Sequence, residues 1–396
     1  MKQITIWIGA LLLGAVLGVL GIHWLDQLMT FVATVYTRLF QLLAVPTIVL
    51  AVITTFATFG SQGSGRIFSR TLLYTLLTTV SAALVGAVLY VLIAPGNIEL
   101  SQLSSLHTPP SSLQPQTSYF DHLLSVIPNN IVKPFLEGNV LSLLLLAFAV
   151  GIGLSKLPES DNKATIVRAL LGLQELLFLL IRWLIWTLPL GIVAFSAQLT
   201  AQVSAGVMVD SIGKYVLVVL GGNVIQFFVV LSLFLLARGL NPIHVLGRMM
   251  PAVLMALFTK SSAATLPVTM DTAERRLGVR KATARFVLPI CTTINMNGCA
   301  AFILVTSLFV MQNGGQSLTL GTIALWLLIS VVSAIGNAGV PMGCFFLTLS
   351  LMSGIGAPVA ILGIILPIYT IIDMVETAEN VWSDSCVCAM TDRDLA

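Results

Sequence analysis

"IIDMVETAENVWSD", residues 371–384, places Asp373, Glu376, Glu379 and Asp384 within twelve residues, directly after the apolar run "GAPVAILGIILPIYT" (356–370). On a helix turning by about 100° per residue, Asp373, Thr377, Asn380 and Asp384 share about 60° of arc. Glu376 sits at the edge of that stripe and Glu379 points well away. A carboxylate facing lipid costs several kcal/mol, so acids inside a membrane face a protein interior and mark an ion or substrate route. The plain alternative is a helix end in water whose acids are simply solvated. That alternative suits Glu379 best and suits Asp373, four residues after Tyr369 in an apolar run, least.

Composition favours lipid as the solvent. The chain is 57% hydrophobic and 9% charged, with a mean hydropathy of +1.00, whereas soluble domains carry about 25% charged residues. The run "ITIWIGALLLGAVLGVLGIHWL" (4–25) reaches the roughly 20 apolar residues of a membrane span. It exceeds the apolar core of a secretion signal, so it reads as a membrane helix. Further apolar segments fall near 36–59, 71–94, 139–156, 166–199 and 213–237. A net charge of +3 excludes a basic nucleic-acid surface. The five cysteines all fall in the last third, inside apolar sequence, which is not a secreted disulfide framework. Cys386 and Cys388 point to different helix faces, and all five read as small packing residues. The four histidines are dispersed and offer no metal cluster.

With the N-terminus inside, basic residues collect on one side: Lys2, Arg66, Arg70, Lys156, Lys163, Arg168, Arg238 and Arg248, then the cluster Arg275, Arg276, Arg280, Lys281 and Arg285. This satisfies the positive-inside rule. The Ser-, Pro- and Gln-rich segment 97–120, free of Lys and Arg, lies opposite as an exposed loop. Keeping the basic cluster inside requires segment 249–272, with its polar "TKSSAATLP", to enter the membrane and return. From Phe286 to Ile372 no charged residue occurs, yet "TTINMNGCA" (292–300) and "SAIGNAGVPMG" (333–343) interrupt the apolar sequence. Such interruptions are the sequence pointer to a transporter site built from broken helices. The tips "SSAATLP" and "NAGVPMG" hint at two hairpins related by an internal repeat.

A hard cation takes oxygen ligands, and Asn295 and Asp384, with carbonyls of the unwound "TTINMN", suit an alkali cation. The tips "KSSAA" and "GNAGVPMG" would supply donors and carbonyls for an amino-acid carboxylate, with Asp373 pairing its ammonium. Taken singly, each Ser or Asn is an ordinary interhelical hydrogen bond; three broken segments beside an acidic stripe form a site. A membrane enzyme would need a nucleophile with its base or a metal cluster, and the tip serines have no His nearby. A channel would also tolerate broken helices; uptake against a gradient separates the two.

"KSSAATLP", "TINMNG", "NAGVP" and "DMVETAENVWSD" resemble signature segments of the dicarboxylate/amino acid:cation symporters, the glutamate-transporter fold. "IPNNIVKPFLEGNVLSLLLLAFAVGIGLS" (127–155) and "WLIWTLPLGIVAFSA" (183–197) agree, and the resemblance covers nearly the whole chain. It implies an all-α integral membrane protein with eight transmembrane helices plus two re-entrant helical hairpins, assembled as a homotrimer in lipid. Scaffold helices would occupy 1–70 and 96–205. The mobile transport domain would comprise 71–95 and 206–396, with hairpins at about 245–273 and 320–355, and would slide as an elevator. The resemblance further implies that Ser262 bonds the substrate carboxylate, with Ser261 beside it. Gly339, Val340 and Cys344 of the second tip would lie over the substrate, Asp373 would take the amino group and Asn380 the α-carboxylate. Met296, Cys299 and Thr377 would complete the lining. One sodium site would use Asn295, Asn380, Asp384 and the carbonyl of Cys291; a second would use carbonyls of Thr293, Ala334, Ile335 and Asn337. Sodium is the coupling ion, and no cofactor is implied.

The departures from the pattern bear on the substrate. Members that carry acidic substrates have an arginine where this chain has Glu376, and like charges at close range cost several kcal/mol in a poorly solvated site. Glutamate, aspartate and dicarboxylates are therefore not expected. Asn297 replaces an aspartate of a third sodium site whose other ligands would be Thr78, Thr79 and Asn295, so fewer coupled ions are expected. Cys299 replaces a threonine and suits a less polar substrate. The pattern is most similar to the sodium/serine–threonine symporters of bacterial inner membranes. Glu376 admits three roles: pairing with Lys260 around a neutral substrate, selecting a cationic amino acid, or carrying a proton.

Overall fold

The structure, a computed structural model, describes residues 2–59, 65–98, 127–137, 140–203, 207–337 and 342–395. Most of the expected loop at 97–120, and Gly339 and Val340 of the second tip, lie outside the described residues. Those described form helices and turns with no strand among them, as suits a backbone that in lipid must satisfy its own polar groups. The first helices are α1 (Lys2–Val19), α2 (His23–Phe59), α3 (Arg66–Ile93), the short α4 (Lys133–Glu137), α5 (Val140–Lys156) and α6 (Asp161–Val203). α7 (Val207–Ile225) runs through a π-helical turn at Gln226–Val230 into α8 (Leu231–Ala237). Then come α9 (Pro242–Thr259), α10 (Ser262–Thr272), α11 (Lys281–Ile294), α12 (Asn297–Asn313), α13 (Leu320–Ala334), α14 (Gly343–Gly354) and α15 (Ala360–Leu395). Five helical stretches among the described residues are long and apolar enough to cross a membrane. The chain is a multi-pass membrane protein.

Two sets of helices pack mainly within themselves. In the first, α6 lies against α1 and α2, and α2 against α5. Gly14 and Gly18 of α1 make the close approach possible, because a Cβ at either would run into the α6 backbone at Val193 or Ala197. Small residues four apart are the usual means by which membrane helices come together. In the second set α12 is central, packed by α3, α7, α13, α14 and α15. A helix apolar on every side belongs in a core, and every residue of α12 except the half-buried Gln312 is buried. Polar anchors fix its position: Tyr215 meets Thr306 at 2.8 Å, and Tyr90 donates to Gln312 at 2.8 Å.

The basic cluster fastens the end of α15. Arg280 donates to Asp392 at 2.7 Å, Thr283 donates to the same carboxylate at 2.7 Å, and Tyr74 bonds Asp394. Asp394 also faces Arg70 and Arg238 at 3.6 and 3.5 Å. The carboxylate-bearing helix is thereby held in register against α3, α8 and α11.

Candidate functional site

Two interruptions of helical geometry lead into the site. α9 ends at Lys260, whose φ of +53° lies in the left-handed region, and its N–H bonds the carbonyl of Ala256 at 2.9 Å. For a residue with a Cβ this costs about 1–2 kcal/mol. Ser261 then caps α10, its hydroxyl accepting from the Ala264 N–H at 3.2 Å, the ordinary chemistry of a helix start. The turn leaves Lys260 and Ser262 buried. Between α11 and α12, Asn295 and Met296 leave helical geometry with ψ near +70°, and the Gly298 N–H donates to Asn380 Oδ1 at 3.0 Å. Gly298 permits this approach, since a Cβ there would sit 2.9 Å from Glu376 Cα and 3.1 Å from Asn223 Oδ1.

A small cavity lies between these breaks and α15. Asp373, Glu376, Thr377 and Asn380 form its α15 wall; Ser262 faces them from α10, Met296 and Cys299 from the α12 start, and Cys344 from α14. Lys260 and Asn337 complete it. Of the residues expected to contact substrate, Ser261 is the neighbour whose hydroxyl is spent on its own helix.

The α15 wall is unusually acidic for its depth, with Asp373 3% and Glu376 1% exposed. Asp373 accepts from the Met342 N–H at 3.3 and 3.2 Å on its two oxygens, and its charge interacts with that of Lys260. Tyr369 donates to Asp373 at 3.4 Å and to Glu376 Oε2 at 3.2 Å. Among the described residues, Glu376 Oε1 has no hydrogen-bond partner. Among the described residues no ion pair joins Glu376 to Lys260; the lysine charge acts on Asp373 instead. Of the three roles open to Glu376, the Lys260 pairing is therefore absent from this conformation.

Of the residues expected at the first sodium site, Asn295, Asp384 and Cys291 also meet, while the Asn380 amide bonds Gly298 and Cys299. Asn295 donates to Asp384 Oδ1 and to Ser383, both at 2.9 Å, and its N–H takes the carbonyl of Cys291 at 2.8 Å. Asp384 is 1% exposed, and among the described residues no Lys, Arg or His pairs with it. A buried carboxylate with only neutral neighbours suits a small hard cation. Thr78 donates to Asn295 at 3.0 Å and Thr79 to Asn297 at 3.1 Å, so the expected third-site residues gather around an amide rather than a carboxylate. The turn Ile335–Asn337 packs on α11 and follows Ala334 directly.

Two expectations need correction. Glu379 is not a solvated acid: it is fully buried, and neither carboxylate oxygen has a partner among the described residues. Its off-stripe direction leads into neighbouring helices rather than into water, because every residue of α15 from Glu376 to Thr391 is buried. Nor are all five cysteines packing residues, for Cys299 and Cys344 form a disulfide. No spacing signals it, since 45 residues separate two sulfurs that meet only when α14 folds over the start of α12. Sequence reasoning also missed Tyr369, although its place four residues before Asp373 and seven before Glu376 puts it on their helix face.

Broken helices converging on a buried, carboxylate-lined cavity in a multi-pass helical protein define a membrane transporter. The sequence pattern of the sodium:dicarboxylate symporter family matches residues 4–394, and the chain belongs to that family. Neutral amino acid transporter B(0) of Oryctolagus cuniculus is 31% identical over 384 residues, covering 88% of this chain and 70% of that protein. Neutral amino acid transporter A of Homo sapiens is 28% identical, covering 90% and 74% respectively. A putative sodium-dependent excitatory amino acid transporter, glt-4 of Caenorhabditis elegans, is 28% identical, covering 92% and 82%. The family couples transport to sodium, and its members are transporters, not enzymes.

Proposed function

We propose that the chain carries a small neutral amino acid, serine or threonine and also alanine, in symport with sodium. The observation that carries this reading is Glu376 beside Asp373 on one buried wall, both bonded to the Tyr369 hydroxyl. An acidic side chain entering there meets like charge, while an ammonium is attracted. The names of two relatives, both neutral amino acid transporters, support the same substrate class.

In this reading Asp373 holds the ammonium, displacing the charge of Lys260, and Ser262 and Asn380 hold the carboxylate. Met296, Cys299, Cys344 and Thr377 close the pocket, with Ser261, Gly339 and Val340 at the two tips. Asn295, Asn380, Asp384 and the Cys291 carbonyl bind one sodium ion. The carbonyls of Thr293, Ala334, Ile335 and Asn337 bind another. The set α1, α2, α5 and α6 is the scaffold, and the set around α12 and α15 is the moving domain of an elevator with eight spans and two re-entrant hairpins. The protein works as a homotrimer in a bacterial inner membrane with its N-terminus inside.

A second reading is favoured by the unpartnered Glu376 Oε1: Glu376 carries a proton, or it meets the side chain of a cationic amino acid. Uptake of radiolabelled L-serine into proteoliposomes under a sodium gradient tests both, with threonine, aspartate and lysine as competitors. Competition by threonine alone supports the neutral substrate. Competition by lysine and not threonine overturns it in favour of a cationic one, and serine uptake driven by a proton gradient alone moves the coupling to Glu376.

A further inference from the structure

The Cys299–Cys344 disulfide bridges the cavity between α12 and α14, with a Cα separation of 5.4 Å. A carboxylate oxygen of Glu376 and the two sulfurs all lie within 4.8 Å of one another, and all three residues are buried. The carboxylate has an oxygen that accepts no hydrogen bond. Soft groups continue around it. Asn337 Nδ2 donates towards Cys299 and Cys344 at 2.9 and 3.4 Å and towards the Met296 thioether at 3.9 Å, while Asn337 Oδ1 is unpartnered.

Reduction converts the bridge into two thiols: the lone pair of a phosphine attacks one sulfur and expels the other as thiolate, water then attacks phosphorus and releases the second thiolate, its two protons go to the thiolates and its oxygen leaves in the phosphine oxide. Two thiolates and a carboxylate converging on one point are the donor set of a tetrahedral d¹⁰ cation with its fourth position open. The ion displaces the two thiol protons. A half-turn of the Asn337 amide exchanges its Nδ2 for Oδ1 towards the ion, the two orientations having nearly the same shape.

We propose that, in the reduced protein, Cys299, Cys344 and Glu376 form a binding site for a thiophilic divalent cation such as Zn²⁺ or Cd²⁺. The bound ion ties α14 to α12 and excludes the amino acid; that consequence rests on reading the cavity as the substrate site, whereas the binding itself does not.

The full chain, purified under a phosphine that is then removed, is first assayed for thiols and titrated with Cd²⁺. Five free thiols are expected, against three in the disulfide form. The titration should show thiolate-to-cadmium absorption with one ion per chain in the reduced protein and none in the disulfide form. Cys299→Ser or Cys344→Ser should weaken binding by more than the roughly 10- to 100-fold that an outer-shell partner costs, and Glu376→Gln by about tenfold. A thiol count that stays at three overturns the proposal, as does absent absorption in the reduced protein. So does absorption that persists in the double serine variant, which would assign the ion to Cys291, Cys386 or Cys388. Cadmium bound with sodium-driven serine uptake undiminished would leave the site standing and refute the exclusion of substrate.

Discussion

Replacing Glu376 with glutamine removes one carboxylate from the cavity wall and leaves its shape almost unchanged. The effect on acidic substrates follows from distance. An aspartate side chain brought to about 4 Å from Glu376, at an effective dielectric of about 20, is repelled by about 4 kcal/mol, close to a thousandfold in affinity. Tyr369 lies 3.4 Å from Asp373 and 3.2 Å from Glu376, so the bonded oxygens are no more than about 7 Å apart. At that range Glu376 would also attract the ammonium that Asp373 is proposed to hold, by about 2 kcal/mol. The attraction is common to serine and aspartate and cancels in their ratio. The assay is the pair of inhibition constants for L-aspartate and L-serine against sodium-driven serine uptake. In E376Q the aspartate-to-serine ratio is expected to fall by about a hundredfold or more, allowing for partial screening. A ratio within about threefold of the parent, with serine uptake intact, would refute the placement of Glu376 beside the substrate side chain.

Three other perturbations test separate parts of the site. Asp384→Asn removes the charge that Asn295 orients, and the sodium concentration for half-maximal uptake should rise by at least about tenfold, a loss of about 1.4 kcal/mol; an unchanged sodium curve would remove Asp384 from the ion site. Tyr369→Phe deletes a donor shared by two buried carboxylates, worth about 1.5–3 kcal/mol as a hydrogen bond to a charged group. Serine affinity should drop by about tenfold or more, and an unaltered affinity would show that the hydroxyl does not organise the wall. Gly298→Ala places a methyl 2.9 Å from Glu376 Cα, and overpacking of this kind costs about 1–3 kcal/mol. A lowered melting temperature together with lost uptake is expected; a parent-like variant would mean that α12 and α15 are less closely packed than described.

What could be read in advance follows from local signals. The acidic stripe is legible because helical periodicity alone brings Asp373, Thr377, Asn380 and Asp384 together. The breaks at Lys260–Ser261 and Asn295–Met296 are legible because polar residues interrupt apolar runs where a continuous helix would cost less. The partners are not legible. Lys260 and Glu376 look complementary along the chain, yet the left-handed turn at Lys260 aims its charge at Asp373. The Cys299–Cys344 bridge depends on how α14 closes over α12, and Glu379 is buried only because neighbouring helices enclose the stretch Glu376–Thr391 of α15 on every side. These are consequences of packing, which periodicity does not encode.

The distribution of charge around α15 also bears on why transport needs an ion. Asp373, Glu376, Glu379 and Asp384 are all buried, and Lys260 is the buried cation whose charge reaches this wall, at Asp373. An uncompensated buried charge costs several kcal/mol even after relaxation, so a conformation that seals the cavity with its carboxylates ionised is unfavourable. In the proposed reading, an ammonium at Asp373 would free Lys260 to approach other charges, and sodium at Asp384 would cancel a carboxylate that Asn295 meets but no cationic side chain among the described residues does. Closure would then be favourable only with both on board, which is thermodynamic coupling in its simplest form. Glu376 and Glu379 remain outside this account unless they bind protons. A dependence of serine uptake on pH that disappears in the Glu376→Gln or Glu379→Gln variant would identify which carboxyl carries one; uptake independent of pH throughout would mean that both keep the same protonation state through the cycle.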